Sequence, residues 1–210
     1  MTRLFIGTFV AQADQQKVAE LHRLNSQLDE IWKRKVRWVK PEKLHMTWIF
    51  LGSVTNDLVQ PVSDMLANLI AKELGTEQER RPMTIAFDKC EVWPDTRKPR
   101  QIVLRPTVVD ERILNLARTL RTGLLEFYFD QSEKEEGRSF RPHVTLLRVE
   151  RRQEPQRFTR PTATRISDIE GLEVALPIVL SLDKIALVES HMGKNSAYQI
   201  LHEVPIASPR

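Results

Sequence analysis

The chain has 210 residues, 41% apolar and 29% charged, which suits a soluble globular protein with one domain or two small lobes. Its net charge of +4 and pI near 9.3 lean toward an anionic partner without requiring one. A single cysteine excludes an intramolecular disulfide and a cysteine metal cluster, and with no run of about 18 apolar residues no transmembrane helix is expected.

Residues 3–10 read as a buried strand, too short and too soon followed by polar residues to be a signal peptide. With the lone thiol, this predicts an intracellular, cytoplasmic protein with no membrane association. Residues 13–33 read as an amphipathic helix carrying Val18, Leu21, Leu24, Leu28 and Ile31 in phase, with Asp14 near its positive end. Val36–Val39 is followed by a turn at Pro41-Glu42-Lys43 and a strand from His45 to Leu51, ended by Gly52. A second helix capped by Asn56 or Asp57 runs to about Leu74, with Pro61 near its first turn. Strands at 83–93 and 101–105 flank a loop from Pro94 to Arg100, and a third helix fits 109–127. A polar loop over 130–140 precedes a strand at 142–149. A basic stretch covers 150–171, and strands near 173–180, 183–190 and 197–204 complete the pattern. Strands and helices mix without a linker, which predicts a single α+β domain over 1–210, antiparallel-rich, with outer helices. A strand–helix–strand order repeated in each half suggests two lobes.

Two peptides carry the chemistry: Leu44-His45-Met46-Thr47-Trp48 and Pro142-His143-Val144-Thr145-Leu146. Side chains i and i+2 of a strand share a face, so each His-x-Thr shows an imidazole and a hydroxyl to one side and buries its apolar neighbours on the other. Facing each other, the two units would gather two histidines and two threonines around one phosphate. Near neutral pH one imidazole can be neutral and accept a proton from water while the other is charged and donates to a leaving oxygen. Threonine hydroxyls can hold the non-bridging oxygens. The competing reading is two unrelated strand-edge histidines with satisfied hydrogen bonds, and at this point both stand.

A zinc site needs three or four ligands, usually closely spaced. The chain has no His-x-His, Cys-x-x-Cys or His-Glu-x-x-His, and nothing marks Asp88 or Glu91 as ligands, so no metal and no cofactor are expected. Cys90 reads as a buried inert thiol. His22, His191 and His202 read as structural or solvated. Basic clusters occur at Lys33-Arg34-Lys35 with Arg37 and Lys40, at Arg97-Lys98 with Arg100, and at Arg148 with Arg151 and Arg152; most such charges are solvated. Arg148 lies five residues past His143, which in an ideal strand is the opposite face, so reaching the site requires a bend or bulge. Trp38, Phe5 and Phe9 offer a stacking surface for a base or, for the two phenylalanines, core packing.

The paired His-x-Thr units resemble the 2H phosphoesterase superfamily, and more closely its RNA 2′,3′-cyclic phosphodiesterases, historically called 2′-5′ RNA ligases. The resemblance extends over Arg3-Leu4-Phe5-Ile6, Arg37-Trp38-Val39, Pro41 to Thr47, Phe50-Leu51-Gly52, Phe140 to Arg148, and Ser190, Gly193 and Tyr198. It implies a two-lobed fold with a groove between the lobes, and metal-independent hydrolysis of RNA 2′,3′-cyclic phosphate ends to 2′-phosphates. It implies that His45 protonates the leaving 3′ oxygen, His143 activates water, and Thr47, Thr145 and Arg148 bind the phosphate. The implied partner is an RNA with a cyclic phosphate end or a small cyclic nucleotide, with no obligate protein partner. Two departures stand out. Ile49 replaces a basic residue common two positions after the first threonine, and Trp48 replaces a smaller aliphatic residue. Two other readings use the same groove: a 2′-5′ RNA ligase, with an RNA hydroxyl in place of water, and a non-catalytic RNA or nucleotide binder.

Overall fold

The structure, a computed structural model, describes residues 1–21, 36–94, 100–128, 140–149, 176–191 and 197–207. β1 (Thr2–Phe9) is rich in aromatic and aliphatic residues and becomes an inner strand, buried along most of its length. It runs antiparallel to β3 (His45–Val54) on one side and β9 (Lys184–His191) on the other. β10 (Ala197–Pro205) pairs outside β9. Beyond β3 come β7 (Val144–Val149), β6 (Gln101–Arg105) and β5 (Lys89–Trp93), giving the order β10-β9-β1-β3-β7-β6-β5. The short β2 (Val36–Trp38) also pairs with β7. β4 (Met83–Phe87) and β8 (Ile178–Leu182) form a separate antiparallel ribbon.

The sheet is two halves. β1 and β3 pair over eight positions and β6 and β7 over four, whereas β3 and β7 share one pair, Met46 with Val144. The seam between these halves runs through both His-x-Thr units, and the halves do not follow chain order, since β2 pairs with β7 and the late strands β9 and β10 join β1.

Among the described residues, three helices contribute to the main core: α1 (Gln12–Glu20), α2 (Val59–Leu74) and α3 (Glu111–Tyr128). Ile113, Leu116, Leu120 and Leu124 recur at helical spacing and are fully buried, as are Val62, Leu66 and Ile70 of α2. They share one core with Leu4, Ile6, Met46, Leu104 and Val144 of the sheet. A smaller cluster of Phe5, Ala186 and Val188, with Phe9 and Tyr198, lies on the opposite face. Among the described residues, no helix is long and apolar enough to cross a membrane.

The boundaries differ from expectation at several points. α2 starts at Val59 after a 3-10 turn over Asn56–Leu58, with no side-chain cap. Asn56 is instead engaged by Thr2, whose hydroxyl donates to its side-chain oxygen at 2.8 Å. Asp14 does more than face a helix dipole. Burial raises its pKa, but bonds from Lys17 and the Ser181 amide outweigh this and hold it below the usual carboxylate range. The Ser181 amide bond, 3.0 Å, ties α1 to β8. The remainder of the first predicted helix (with His22, Leu24, Leu28 and Ile31) lies outside the described residues. So do most of the 94–100 and 130–140 loops, the 150–171 stretch, Gly193, and the basic residues Lys33, Arg34, Lys35, Arg97, Lys98, Arg151 and Arg152.

Candidate active site

Alternation along the two motif strands does what the sequence implies. Met46, Trp48, Val144 and Leu146 are all buried in the main core, while His45, Thr47, His143 and Thr145 face the other side and stay partly exposed. The antiparallel pair Met46–Val144 joins the middle residues of the two units. Continued one residue in each direction, that register sets Thr47 across from His143 and His45 across from Thr145. The two units thus run antiparallel past each other about this one pair.

Each histidine is held in the same way. His45 Nδ1 lies 2.8 Å from the carbonyl of Lys43, and His143 Nδ1 lies 2.8 Å from the carbonyl of Arg141. A carbonyl only accepts, so Nδ1 carries the proton in both rings and Nε2 is the proton-exchanging atom when the ring is neutral. Burial lowers the pKa of His45; the bond to Lys43 opposes this, and the charges of Arg148 and His143 lower it further. Burial also lowers that of His143, with Arg105 adding to the effect against the bond to Arg141.

The rings are packed by aromatic neighbours from their own halves. His45 sits among Phe5, Phe9 and Tyr198, at centroid distances of 4.9, 5.6 and 5.1 Å. Gly7 makes room: a Cβ there would stand 2.9 Å from the Phe5 ring and 3.1 Å from the Met46 carbonyl oxygen. His143 packs on Trp93 at 4.5 Å. The Trp93 indole N–H donates to Glu91, which also pairs with Arg105. Tyr198 belongs to the segment that carries the family resemblance, and Phe5 and Phe9, read as a stacking surface or as core, pack with it around His45. Trp93, Glu91 and Arg105 were missed as site neighbours, because their nearness depends on β5 and β6 stacking beside β7. Trp38 does not join the site: it pairs with Leu147 and packs on the main core, on the opposite face.

Two bulges decide which later residues face the site. In β7 the register to β6 shifts at Leu146, so Leu146 and Leu147 are both buried and Arg148 returns to the face of His143 and Thr145. The parity objection to Arg148 is removed by this extra residue. In β3 the register to β1 shifts at Trp48, so Trp48 and Ile49 both turn inward. Phe50, paired with Phe5, takes the site face instead, 52% exposed, with the Arg3 guanidinium 4.7 Å over its ring. Ile49 is therefore a core residue. Trp48 also has a polar role: its indole N–H donates to Thr8 Oγ1, which donates on to the Lys184 carbonyl, each at 2.8 Å.

Among the described residues, no group of three His, Cys, Asp or Glu side chains could hold a metal ion. Asp88 accepts from the Thr107 amide and Glu91 from Trp93 and Arg105. His191 lies 3.7 Å from Glu189, and His202 pairs across from Leu187.

A family model described as LigT-like phosphoesterase matches residues 13–103, less than half of the chain. An RNA 2′,3′-cyclic phosphodiesterase of Aquifex aeolicus (strain VF5) is 27% identical over 150 residues, 71% of each chain. A protein of the same name from Bacillus subtilis (strain 168) is 34% identical over 112 residues, 53% of this chain and 55% of its own. A crystal structure of a Thermus thermophilus protein superposes with a TM-score of 0.70 at 22% identity, covering 99% of this chain and 100% of that one. At that identity the likeness establishes the fold.

Proposed function

We propose that the chain is a LigT-like phosphoesterase, a hydrolase that opens the 2′,3′-cyclic phosphate at an RNA 3′ end and leaves a 2′-phosphate. The observation that carries this reading is the Met46–Val144 pair, with a His-x-Thr unit turned to the same face on either side of it. The names of the Aquifex and Bacillus relatives support the substrate class. We take the whole of 1–210 as one two-lobed unit, suited by its single thiol to a reducing cytoplasm.

In this scheme His143 Nε2 takes a proton from water as the water oxygen attacks phosphorus. The bond from phosphorus to O3′ breaks, and His45 Nε2–H gives its proton to O3′. Thr47 and Thr145 donate to the non-bridging oxygens, where charge accumulates, and Arg148 adds a positive charge beside them. His45 is hard to protonate in the empty site, since burial and its cationic neighbours oppose the charge. A bound phosphodiester anion reverses that balance, so substrate itself readies the acid. The product leaves with His143 protonated and His45 neutral, and exchange with solvent resets both. The scheme calls on no metal and no cofactor.

The test is a short RNA ending in a 2′,3′-cyclic phosphate, incubated with the protein in EDTA, with 2′- and 3′-phosphate products resolved. The expected product is the 2′-phosphate, at a rate unaffected by EDTA. A 3′-phosphate product, or turnover that needs added metal, contradicts the scheme. Joining to a second RNA in place of hydrolysis would favour the ligase, and binding without turnover the non-catalytic module.

A further inference from the structure

We infer that Arg37 extends the phosphate site past Arg148, so that an internal phosphodiester of the RNA one or two nucleotides upstream of the cyclic end is held by Arg37, with Arg148 shared between it and the cyclic phosphate. The identity of the ligand rests on the proposed function; the site itself rests on sheet register.

One continuous segment lines one edge of β7. β2 pairs with the end of β7, Arg37 standing directly opposite Arg148. The Val39 amide then donates to the Leu146 carbonyl at 2.8 Å, a 3-10 turn follows over Pro41–Lys43, and Met46 pairs with Val144. Along this edge, therefore, the two His-x-Thr units come first and the two arginines next. Both groups straddle the same pair of chain segments.

The arginines face the same way as the motif side chains. Val36 and Trp38 pair with Val149 and Leu147, and all four pack on the main core. Arg37 and Arg148, lying between them, project from the opposite face, the face of His143 and Thr145, and both are exposed. Gln101 pairs with Arg148 from β6 and adds an amide donor beside it.

Two guanidinium groups directly opposed on a sheet repel each other. Among the described residues, neither is in an ion pair that would offset this. A phosphate beside Arg37 would, since its guanidinium can bind it through paired N–H donors while the five N–H groups of Arg148 suffice to reach both this phosphate and the cyclic one. Thr145 and Arg148 are three residues apart, at most roughly 10 Å along a strand and less with the bulge. One or two nucleotides of extended single strand, with the reach of two arginine side chains, cover that span. A mononucleotide held at the seam has no second phosphodiester to offer here, so this site separates RNA ends from small cyclic nucleotides.

The experiment compares a tetraribonucleotide ending in 2′,3′-cyclic phosphate with a mononucleoside 2′,3′-cyclic phosphate, each over a range of salt. For the native protein, kcat/KM should favour the tetranucleotide, and the preference should fall as salt rises. In Arg37→Gln the preference should drop about tenfold, through KM, with the log–log salt slope for the tetranucleotide reduced by about 0.7. Arg37→Lys should keep the slope and recover part of the preference. A preference equal in native protein and Arg37→Gln, whether both substrates weaken together or neither does, overturns the inference. So does a native protein whose salt slope is the same for both substrates, a result that needs no variant to fold. Anisotropy of a labelled tetranucleotide bearing a 2′-phosphate, native against Arg37→Gln, reads the site without turnover. If neither cyclic phosphate is hydrolysed while that binding difference persists, the proposed reaction fails and the anion site stands.

Discussion

Both imidazoles are held below the ordinary histidine value near 6.5, chiefly by burial, and this fixes a pH signature. The proposed reaction needs one ring neutral and the other charged. The free-enzyme profile, kcat/KM, should therefore be a bell centred below pH 6.5 that declines through neutrality. The profile of kcat should be centred higher, because the bound phosphate anion favours the charged acid. A kcat/KM that rises steadily through pH 7 contradicts the scheme. The same shifts affect stability. A histidine whose pKa is lower folded than unfolded leaves the unfolded chain holding more protons as pH falls. Stability from these groups is thus complete above about pH 6.5 and is lost as pH drops through the folded values. Thermal unfolding should show that acid loss, reduced in His45→Asn. The His-x-Thr pairs were legible because a strand repeats every two residues. The fixed tautomer was not, since it depends on a carbonyl two residues back whose direction no side-chain pattern reports.

The bulges show where strand-level reading fails. A perfect period of two sends Arg148 to the core side and Ile49 to the site side; each single extra residue reverses the outcome. Nothing in Leu146-Leu147 or Trp48-Ile49 marks a bulge beforehand except two large apolar residues in a row, a pattern equally common in doubly buried strands. Trp48 illustrates a cost of size. Its ring stacks on Phe140, 5.3 Å between centroids, and its buried N–H needs the Thr8 hydroxyl. Thr8→Val keeps the shape but leaves that N–H unpaired, and should lower stability by about 1–3 kcal/mol in denaturant unfolding. An unchanged midpoint would mean that the indole finds another acceptor. The helices were legible from their apolar stripes, with the ends of α2 and α3 displaced by three residues or fewer because 3-10 turns and tertiary partners, as at Asn56, compete with side-chain caps.

At the level of the whole molecule, the echo of strand–helix–strand in each half suggested two lobes. It did not reveal that both belong to one sheet joined at a single residue pair, because strand order is set by long-range packing. Nor did it place β2 beside β7, the contact that aligns Arg37 with Arg148. Cys90 reports on the integrity of this assembly. Cys90 is half-buried; burial, with the charge of Glu91, pushes its thiol up to about 12, so a thiol reagent at pH 8 should react with it far more slowly in the native protein than in the unfolded chain. Fast reaction in the native state would mean that β5 opens readily.

The central claim is that the two histidines act as a unit across the seam, and single-turnover rates of His45→Ala, His143→Ala and the double variant on a cyclic-phosphate RNA test it most directly. Each single variant should lose about 10²- to 10⁴-fold, with the double variant little slower than the worse single one, as expected of groups that serve one transition state. A single variant that keeps near-native turnover would contradict the account.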